Sequence, residues 1–462
     1  MTPSIHLLAS FGFGLEGLTP TLIYVGAIVA FFLSVTWKPE ISLYYIAPLL
    51  PLQVLRYTLH DLPFGEKLVD FCLLGTLLGL LIQRRGRLFE KTPLNVLLGI
   101  WAVFHYVSLW RGWLYLGGDM PLLFGNERFS DWKNYMVMPL IFLLVAAAIK
   151  QKKQMVILLG LMLFGLLRVD IGFYRTVSER DLTHFSYSLR YAGMLGYAGE
   201  NGLAAFEAEI ALLLLAFAYY QKGLLRKVAL YGVFGLCCYC LLFAFSRGGY
   251  LGFLVGLAAL GFLKDRKLLI FVGILVFTWT AIIPQSVQER VLTTYEDGKI
   301  ESSANERVTI WQDAVTLVPQ NPILGTGFDT YRFMGRVEEY TDTHNLYLKL
   351  LVETGIPGLI LFLVLMGTSL SLAYKLFRKT KDPLLGALGL GMCGYIICLL
   401  VVNAFGDRWM YLQVTGYFWI LMGMVVSGSQ IKPEKVLEVL IPAPKVAALT
   451  EPQLLPEWQP LP

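Results

Sequence analysis

The sequence predicts an all-α, polytopic membrane protein, and three observations support this. Of its 462 residues, 56% are hydrophobic and only 15% are charged, whereas soluble domains average about 45–50% apolar and about 25% charged residues. The apolar residues form blocks of roughly 15–25 residues, long enough to cross a hydrocarbon core of about 30 Å as helices. The blocks also lack the alternation of barrel strands, so helices must satisfy the backbone groups in lipid.

Thirteen blocks are predicted to span the membrane. An extra crossing or re-entrant piece in the first thirty residues, or one incomplete span, gives a range of about 12–14 transmembrane helices. The predicted spans are residues 20–36, 41–56, 67–82, 94–110, 135–149, 155–170, 202–220, 228–245, 248–263, 267–283, 350–374, 384–403 and 410–427.

Basic residues orient these spans. Five short connections rich in Lys and Arg fall on alternate connections between the predicted spans, so all five lie on one side, which is cytoplasmic by the positive-inside rule. They are residues 83–92, 150–153, 221–227, 264–267 and 374–382. The longer connections, 111–134, 171–201 and above all 284–349, then lie outside.

The chain is accordingly divided into four parts. Residues 1–283 form an N-terminal bundle of about ten spans, and residues 284–349 form a large, partly helical periplasmic loop. Residues 350–427 form the C-terminal transmembrane helices. The Pro-rich end, residues 428–462, is predicted to be a flexible cytoplasmic tail.

Composition argues against two classes of site. The net charge of +5 comes from basic residues in short inner loops, so no nucleic-acid partner is predicted. The six cysteines lie inside apolar blocks with no neighbouring histidine, and the five histidines are scattered. No metal site and no cofactor are therefore predicted.

The large outer loop is predicted to contain an amphipathic helix, residues 305–318. Apolar residues at Val308, Trp311, Val315 and Val318 form a stripe at helical spacing. Such a helix lies on the membrane surface or caps the bundle. The following stretch, 319–333, is rich in turn residues and is predicted to be a connector.

Candidate residues for chemistry lie on the same predicted side. His344 ends the large outer loop, and Arg190, Arg247 and Arg307 lie in outer loops or at outer helix ends. Several guanidinium groups near one imidazole would form an anion site with a general base. The alternatives are that each arginine pairs or snorkels at the boundary, and that His344 is a bystander beside a helix N-cap.

Arg247 belongs to a segment with a second feature. It lies in the turn SRGG, and Gly248, Gly252 and Gly256 follow at four-residue spacing. Small residues at this spacing let another helix approach closely, which would hold the turn rigid.

Three blocks in this order resemble one family. SRGGYLGFLVG (246–256), ERVTIWQDAVTLVPQNPILGTGFDTY (306–331) and THNLYLKLLVETGIPGLI (343–360) look like the motifs of the O-antigen ligase and O-antigen polymerase superfamily. The resemblance that carries motifs covers roughly residues 187–375.

The resemblance implies a GT-C-like glycosyltransferase in the bacterial inner membrane, with its active site on the periplasmic side. Its donor would be a glycan on a polyprenyl (undecaprenyl) diphosphate, and the reaction would need no metal. The essential histidine would be His344, and the arginines that hold the diphosphate would be Arg247, in the SRG block, and Arg307, before Trp311. Arg190, upstream of GENGLA, is a looser match.

The predicted function is thus an inverting, metal-independent glycan transfer of the O-antigen ligase type, with a polymerase of the same superfamily as the alternative. The expected partners are the lipid-linked donor, a glycan or lipid A–core acceptor and the lipid bilayer, and the chain is expected to be monomeric.

Two other classes fit the sequence less well. A secondary transporter usually has two halves of related hydropathy, and here the single large outer loop lies late in the chain. A flippase for lipid-linked glycans needs charged residues lining a central cavity, and the mid-span positions contain few ionisable residues.

Overall fold

Helices make up most of the part of the chain that the structure describes. The computed structural model describes residues 18–63, 65–83, 91–122, 125–293, 295–296, 299–300, 302–337 and 342–431. Residues 1–17, most of the basic connection 83–92, and residues 432–462 of the predicted tail lie outside this part. The described helices are α1 (Thr19–Thr36), α2 (Ile41–Ile46), α3 (Gln53–Tyr57), α4 (Leu68–Ile82), α5 (Pro93–Leu116), α6 (Glu127–Ala148), α7 (Lys152–Val177), α8 (Gly199–Tyr220), α9 (Leu224–Phe243), α10 (Arg247–Leu263), α11 (Lys267–Ile282), α12 (Gln285–Leu292), α13 (Ser302–Leu317), α14 (Leu346–Lys379), α15 (Pro383–Val402) and α16 (Leu412–Gln430). A small antiparallel hairpin pairs β1 (Tyr295–Glu296) with β2 (Lys299–Ile300).

The predicted fold class is confirmed: the protein is all-α and polytopic. Nine of the described helices are long and apolar enough to cross a membrane, and the pair α11–α12, bent by 108°, adds a tenth. The predicted number was higher, about 12–14, because it included three segments that fall below this length. Two are shorter helices, α4 with 15 residues and α10 with 17 residues, and the third is broken.

The broken segment is the predicted span 41–56. Two short helices, α2 and α3, replace a continuous one, since Pro48 and Pro51 lack the N–H that a helix interior needs. The segment still runs back along α1, because Ser42 donates to the carbonyl of Ala30 while Tyr45, further on, donates to that of Ile23.

The next helix, α4, lies parallel to α1. A methyl group at Gly75 would contact Phe31, and one at Gly79 would contact the carbonyl of Ser34. Later residues of α4 therefore lie against later residues of α1, which makes the two helices parallel. Two parallel neighbours require the chain to return between them. The segment 41–56 therefore acts as a crossing although it is not one helix.

Glycines bring three helices into close contact around α10. A methyl group at Gly252 would lie 2.5 Å from Val402 Cγ1 of α15, and one at Gly256 would lie 2.2 Å from Leu212 Cδ1 of α8. This confirms the close packing predicted from the spacing of small residues. The same contacts hold the start of α10, where Arg247 lies, in a rigid position.

Helix α13 confirms the predicted amphipathic helix, but the predicted apolar stripe is partly wrong. Val308 is 39% exposed and Val315 is 53% exposed. The buried face is instead Ile310, Ala314 and Leu317, which pack with Val352 and Tyr331. The helix therefore caps the bundle, since its apolar face is covered by protein.

Helix α14 is interrupted at Gly355, where φ is +69°. This left-handed conformation suits glycine because it lacks Cβ. At the break, carbonyl groups of α14 accept hydrogen bonds from the connector 319–333. Thr326 N–H donates to Val352 O at 2.9 Å, and Gly327 N–H donates to Glu353 O at 2.8 Å. The turn-rich segment 319–333 is thus a tightly packed partner of α14.

Glu353 belongs to the same junction. Its carboxylate accepts hydrogen bonds from the backbone N–H groups of Asp329 and Tyr331, each at 3.1 Å. These bonds hold the connector against α14, so the side chain has a structural role.

Candidate functional site

The turn between α9 and α10 positions Arg247. Phe245 adopts φ +53° although it is not glycine, and its carbonyl accepts a hydrogen bond from Nε of Arg290 at 3.3 Å. The turn ends at Arg247, the first residue of α10. A residue held in a left-handed conformation costs free energy, and such residues cluster at functional sites.

Four arginines from different elements line one small pocket, which we call the arginine pocket. They come from α10, α12, α13 and the connection between α15 and α16. Among the described residues that line the pocket there is no acidic side chain. The pocket is lined by Arg247, Arg290, Arg307 and Arg408 together with Asn201 and Ser246, among others.

Arg190 lies beside this pocket. Its guanidinium donates to Glu200 at 2.6 Å and to Oδ1 of Asn201 at 3.1 Å. Burial lowers the pKa of Arg190, Glu200 opposes the shift, and the charges of Arg290 and Arg408 add to it. Because Asn201 lines the pocket, Arg190 lies behind its wall and bonds to a residue of that wall.

His344 also has an unusual backbone, with φ +50°. Its N–H donates to Asp342 Oδ1 at 3.2 Å, and Asp342 Oδ2 lies 3.5 Å from Nδ1 of the ring. The N-cap of α14 is the next residue, Asn345, which accepts from Leu348 N–H at 3.1 Å. His344 is therefore beside the cap but does not perform the capping itself.

Helix α13 is tied directly to this segment. Nε1 of Trp311 donates to the carbonyl of Thr343 at 2.9 Å. Arg307 lies one turn earlier on the same helix, so this bond fixes the helix that carries Arg307 next to the residue preceding His344.

The charges around His344 favour its neutral form. Burial lowers its pKa below the ordinary value of 6.5, Asp342 raises it, and the nearby Arg307 and Arg408 lower it again. The imidazole is therefore mostly unprotonated at neutral pH and is able to accept a proton.

Asp342, two residues before His344, lines a much larger space, which we call the polar cavity, with a volume of about 760 Å³. Such a volume is within the range of about 300–1,000 Å³ that is usual for small-ligand sites. Its acidic lining residues are Glu66, Asp70, Asp131, Asp329, Asp342 and Asp407, and its basic ones include Arg56, Lys67, Lys133, Arg332 and Lys349.

One short connection separates the two spaces. The consecutive residues Asp407 and Arg408 line different ones, Asp407 the polar cavity and Arg408 the arginine pocket. The backbone N–H of Leu346 donates to the carbonyl of Gly406 at 3.3 Å. This bond fastens the connection to the segment that carries His344.

The structure brings the four predicted site residues to one region of the protein. The electrostatic influence of Arg307 reaches both His344 and Arg247, and that of Arg190 reaches Arg247. Sequence reasoning missed Arg290 and Arg408, although each lies in a predicted outer connection, in QERVL and FGDRWMY. A survey of every arginine in those connections would have found both.

Within the described residues, one cluster has the ligand types of a metal site. Asp170, Glu207 and Cys237 are buried, with one potential ligand atom from each within 4.8 Å of the others. They lie on α7, α8 and α9, far apart in sequence, so motif spacing did not reveal them. Glu207 follows Asn201 by six residues on α8, roughly 9 Å along the helix axis, so the cluster is separate from the arginine pocket.

Comparison with known proteins is consistent with this arrangement. Residues 232–363 match the model of the O-antigen ligase family, and no curated protein matches the chain. The matched region includes Arg247, Arg290, Arg307 and His344, whereas Arg190 and Arg408 lie outside it.

Proposed function

We propose that this chain, which carries the domain of the O-antigen ligase and polymerase superfamily, is a GT-C-type glycosyltransferase that moves a glycan from a polyprenyl diphosphate to an acceptor hydroxyl. The reaction takes place at the periplasmic face of the bacterial inner membrane, inverts the anomeric centre and uses no metal. The observation that carries the proposal is that the imidazole of His344 is near Arg307 and Arg408, which line the arginine pocket, and next to Asp342, which lines the polar cavity.

The donor's diphosphate binds in the arginine pocket. Guanidinium groups match phosphate oxygens with paired, planar hydrogen bonds and stay charged at any physiological pH. As the glycosidic bond breaks, negative charge increases on the departing diphosphate. Arginines fixed beforehand stabilise that charge in the transition state, which is the task a metal ion performs in other transferases.

His344 acts as the general base. Asp342 lies next to Nδ1 and favours the tautomer with its proton on that atom, which leaves Nε2 to accept a proton. The acceptor hydroxyl loses its proton to Nε2 while its oxygen bonds to the anomeric carbon. The bond from that carbon to the diphosphate oxygen breaks, and its electron pair leaves with the polyprenyl diphosphate.

The acceptor occupies the polar cavity, from which its hydroxyl reaches His344 on the side of Asp342. A lipid A–core acceptor would make the protein a ligase, and a second lipid-linked glycan would make it a polymerase. We propose the ligase type. The polymerase is the alternative, because it would use the same donor pocket and the same base.

The experiment supplies purified protein in lipid nanodiscs with a polyprenyl-diphosphate oligosaccharide and a set of acceptors. Mass spectrometry then identifies which acceptor gains the glycan. We expect transfer without added metal and in the presence of a chelator, since the arginines stabilise the leaving group. One added glycan on lipid A–core indicates a ligase, and a ladder of repeats indicates a polymerase.

His344→Ala is the decisive variant. A positioned base contributes about 10²–10⁴-fold to rate, so transfer should fall by at least 10²-fold while abundance in the membrane stays normal. His184→Ala, which alters an exposed histidine that is not among the described lining residues of either space, is the matched control. Transfer at the wild-type rate by His344→Ala would exclude the role as base.

A further inference from the structure

The polar cavity differs from the arginine pocket in how its charges are balanced. Its lining contains five lysine or arginine side chains and six aspartate or glutamate side chains. The arginine pocket has four cations and, among the described residues that line it, no anion. The two spaces share one wall, but a charged ligand meets only cations among the described lining of the arginine pocket and both cations and anions in the polar cavity.

The cavity's cations are bound to protein groups. Arg332 contacts three carboxylates, Lys349 contacts two, and Arg56 donates to two backbone carbonyls. The contacts are Lys133 with Asp70, Arg332 with Glu127, Asp131 and Asp329, Lys349 with Asp329 and Asp407, and Arg56 with the carbonyls of Leu49 and Leu50.

These contacts decide what the cavity can bind. A phosphate or carboxylate that entered would have to displace a carboxylate from its cation, or remain next to acidic side chains. Like charges placed together weaken binding strongly and exclude the wrong partner. The carboxylate oxygens do, however, accept hydrogen bonds well, and each sugar hydroxyl is a donor.

The remaining lining also suits a sugar. Tyr57, Tyr135 and Tyr411 supply aromatic surface, and Ser130 and Asn134 supply neutral polar groups. Aromatic rings pack against the C–H faces of a sugar ring, and neutral polar groups bond to its hydroxyls.

We propose that the acceptor end that enters the polar cavity is an uncharged, polyhydroxylated glycan, without phosphate or carboxylate groups on its terminal sugars. This inference rests on the proposed function, because it assumes that the cavity holds the acceptor. It narrows the acceptor class: a phosphorylated inner-core sugar is excluded, and a neutral outer sugar or a neutral repeat is accepted.

The test compares two acceptors that differ in one group. One is a neutral trisaccharide, and the other is the same trisaccharide with a phosphate on its terminal sugar next to the accepting hydroxyl. We expect kcat/KM for transfer to be at least about tenfold higher with the neutral acceptor at low salt. This ratio should shrink as salt is raised, because salt screens the repulsion. Equal or better use of the phosphorylated acceptor would overturn the inference.

A variant at the cavity wall sharpens the test. Glu66 contacts His60, and its side chain is 60% exposed, so its replacement leaves the bundle intact. Glu66→Lys should raise relative use of the phosphorylated acceptor several-fold, with Glu66→Gln between it and the wild type. No change in either variant would count against an electrostatic origin of the preference.

Binding separates this inference from the proposed function. Calorimetry with the two trisaccharides needs no transfer and can be done on the His344→Ala protein. Tighter binding of the neutral sugar supports the inference even if no acceptor gains a glycan, in which case the proposed function fails alone. Equal binding overturns the inference even where transfer is observed.

Discussion

The arginine pocket and the polar cavity show two uses of cationic side chains within one site. In the cavity, Lys349 lies between Asp329 and Asp407, with N–O distances of 3.1 and 3.0 Å, and is nearly buried. In the pocket, the described lining residues include four arginines and no carboxylate, and burial followed by the charges of Arg290 and Arg307 lowers the pKa of Arg247. A cation surrounded by carboxylates stabilises the fold, whereas a group of cations that repel one another is suited to an anionic ligand.

The largest expected effect concerns the cavity. Lys349→Met removes a cation from between two buried carboxylates, and breaking a buried pair in this way costs about 3–5 kcal/mol. We expect a clearly lower unfolding temperature in detergent, measured by thermal denaturation. Lys375→Met, at an exposed position on the same helix, is the control and should behave as the wild type. An unchanged unfolding temperature for Lys349→Met would remove the structural role of this cation.

The next effect concerns the pocket and should appear in activity. Arg247→Lys keeps the charge but loses the planar fork that binds a diphosphate. We expect transfer to fall by about 10–10²-fold, equivalent to roughly 1.4–2.7 kcal/mol, with an unchanged unfolding temperature. The same substitution at the exposed Arg266, in a predicted inner turn, should have no effect. Wild-type rates in Arg247→Lys would mean that Arg247 is only a boundary cation.

The smallest effect is a shift in pH dependence. Because the pKa of His344 is lowered from 6.5, the acidic limb of kcat/KM should lie below pH 6.5. Glu306 raises this pKa, so Glu306→Gln should lower it further and move the limb to lower pH by a few tenths of a unit. The direction in which the acidic limb moves is the test. A shift to higher pH, or no shift, would contradict the role of His344 as the titrating base.

Much of this organisation could be predicted from local sequence. Twelve of the thirteen predicted spans coincide in position with described helices, because a block of apolar residues in lipid has only one stable backbone. The segment 41–56 differed because its prolines break the helix. The apolar stripe of α13 was partly wrong because its covered face is defined by Val352 and Tyr331, whose positions depend on the break at Gly355.

The candidate site shows the same limit. His344, Arg190, Arg247 and Arg307 are recognisable from their residue types and from the side of the membrane on which they are predicted to lie. Arg290 and Arg408 were missed because neither belongs to a motif, and they reach the pocket only when α12 and the connection after α15 fold over α10.

Composition and charge by themselves determined that this chain is a multi-pass helical protein, and residue types pointed to an imidazole with guanidinium groups. Both follow from local properties, the hydropathy of a segment and the chemistry of a side chain. Only the tertiary structure decided that the arginine pocket and the polar cavity, with its mixed charges, lie on either side of the connection that carries Asp407 and Arg408 and near His344. Ion pairing depends on which side chains lie a few ångströms apart, and residues as distant as Lys133 and Asp70 become neighbours only when the helices pack.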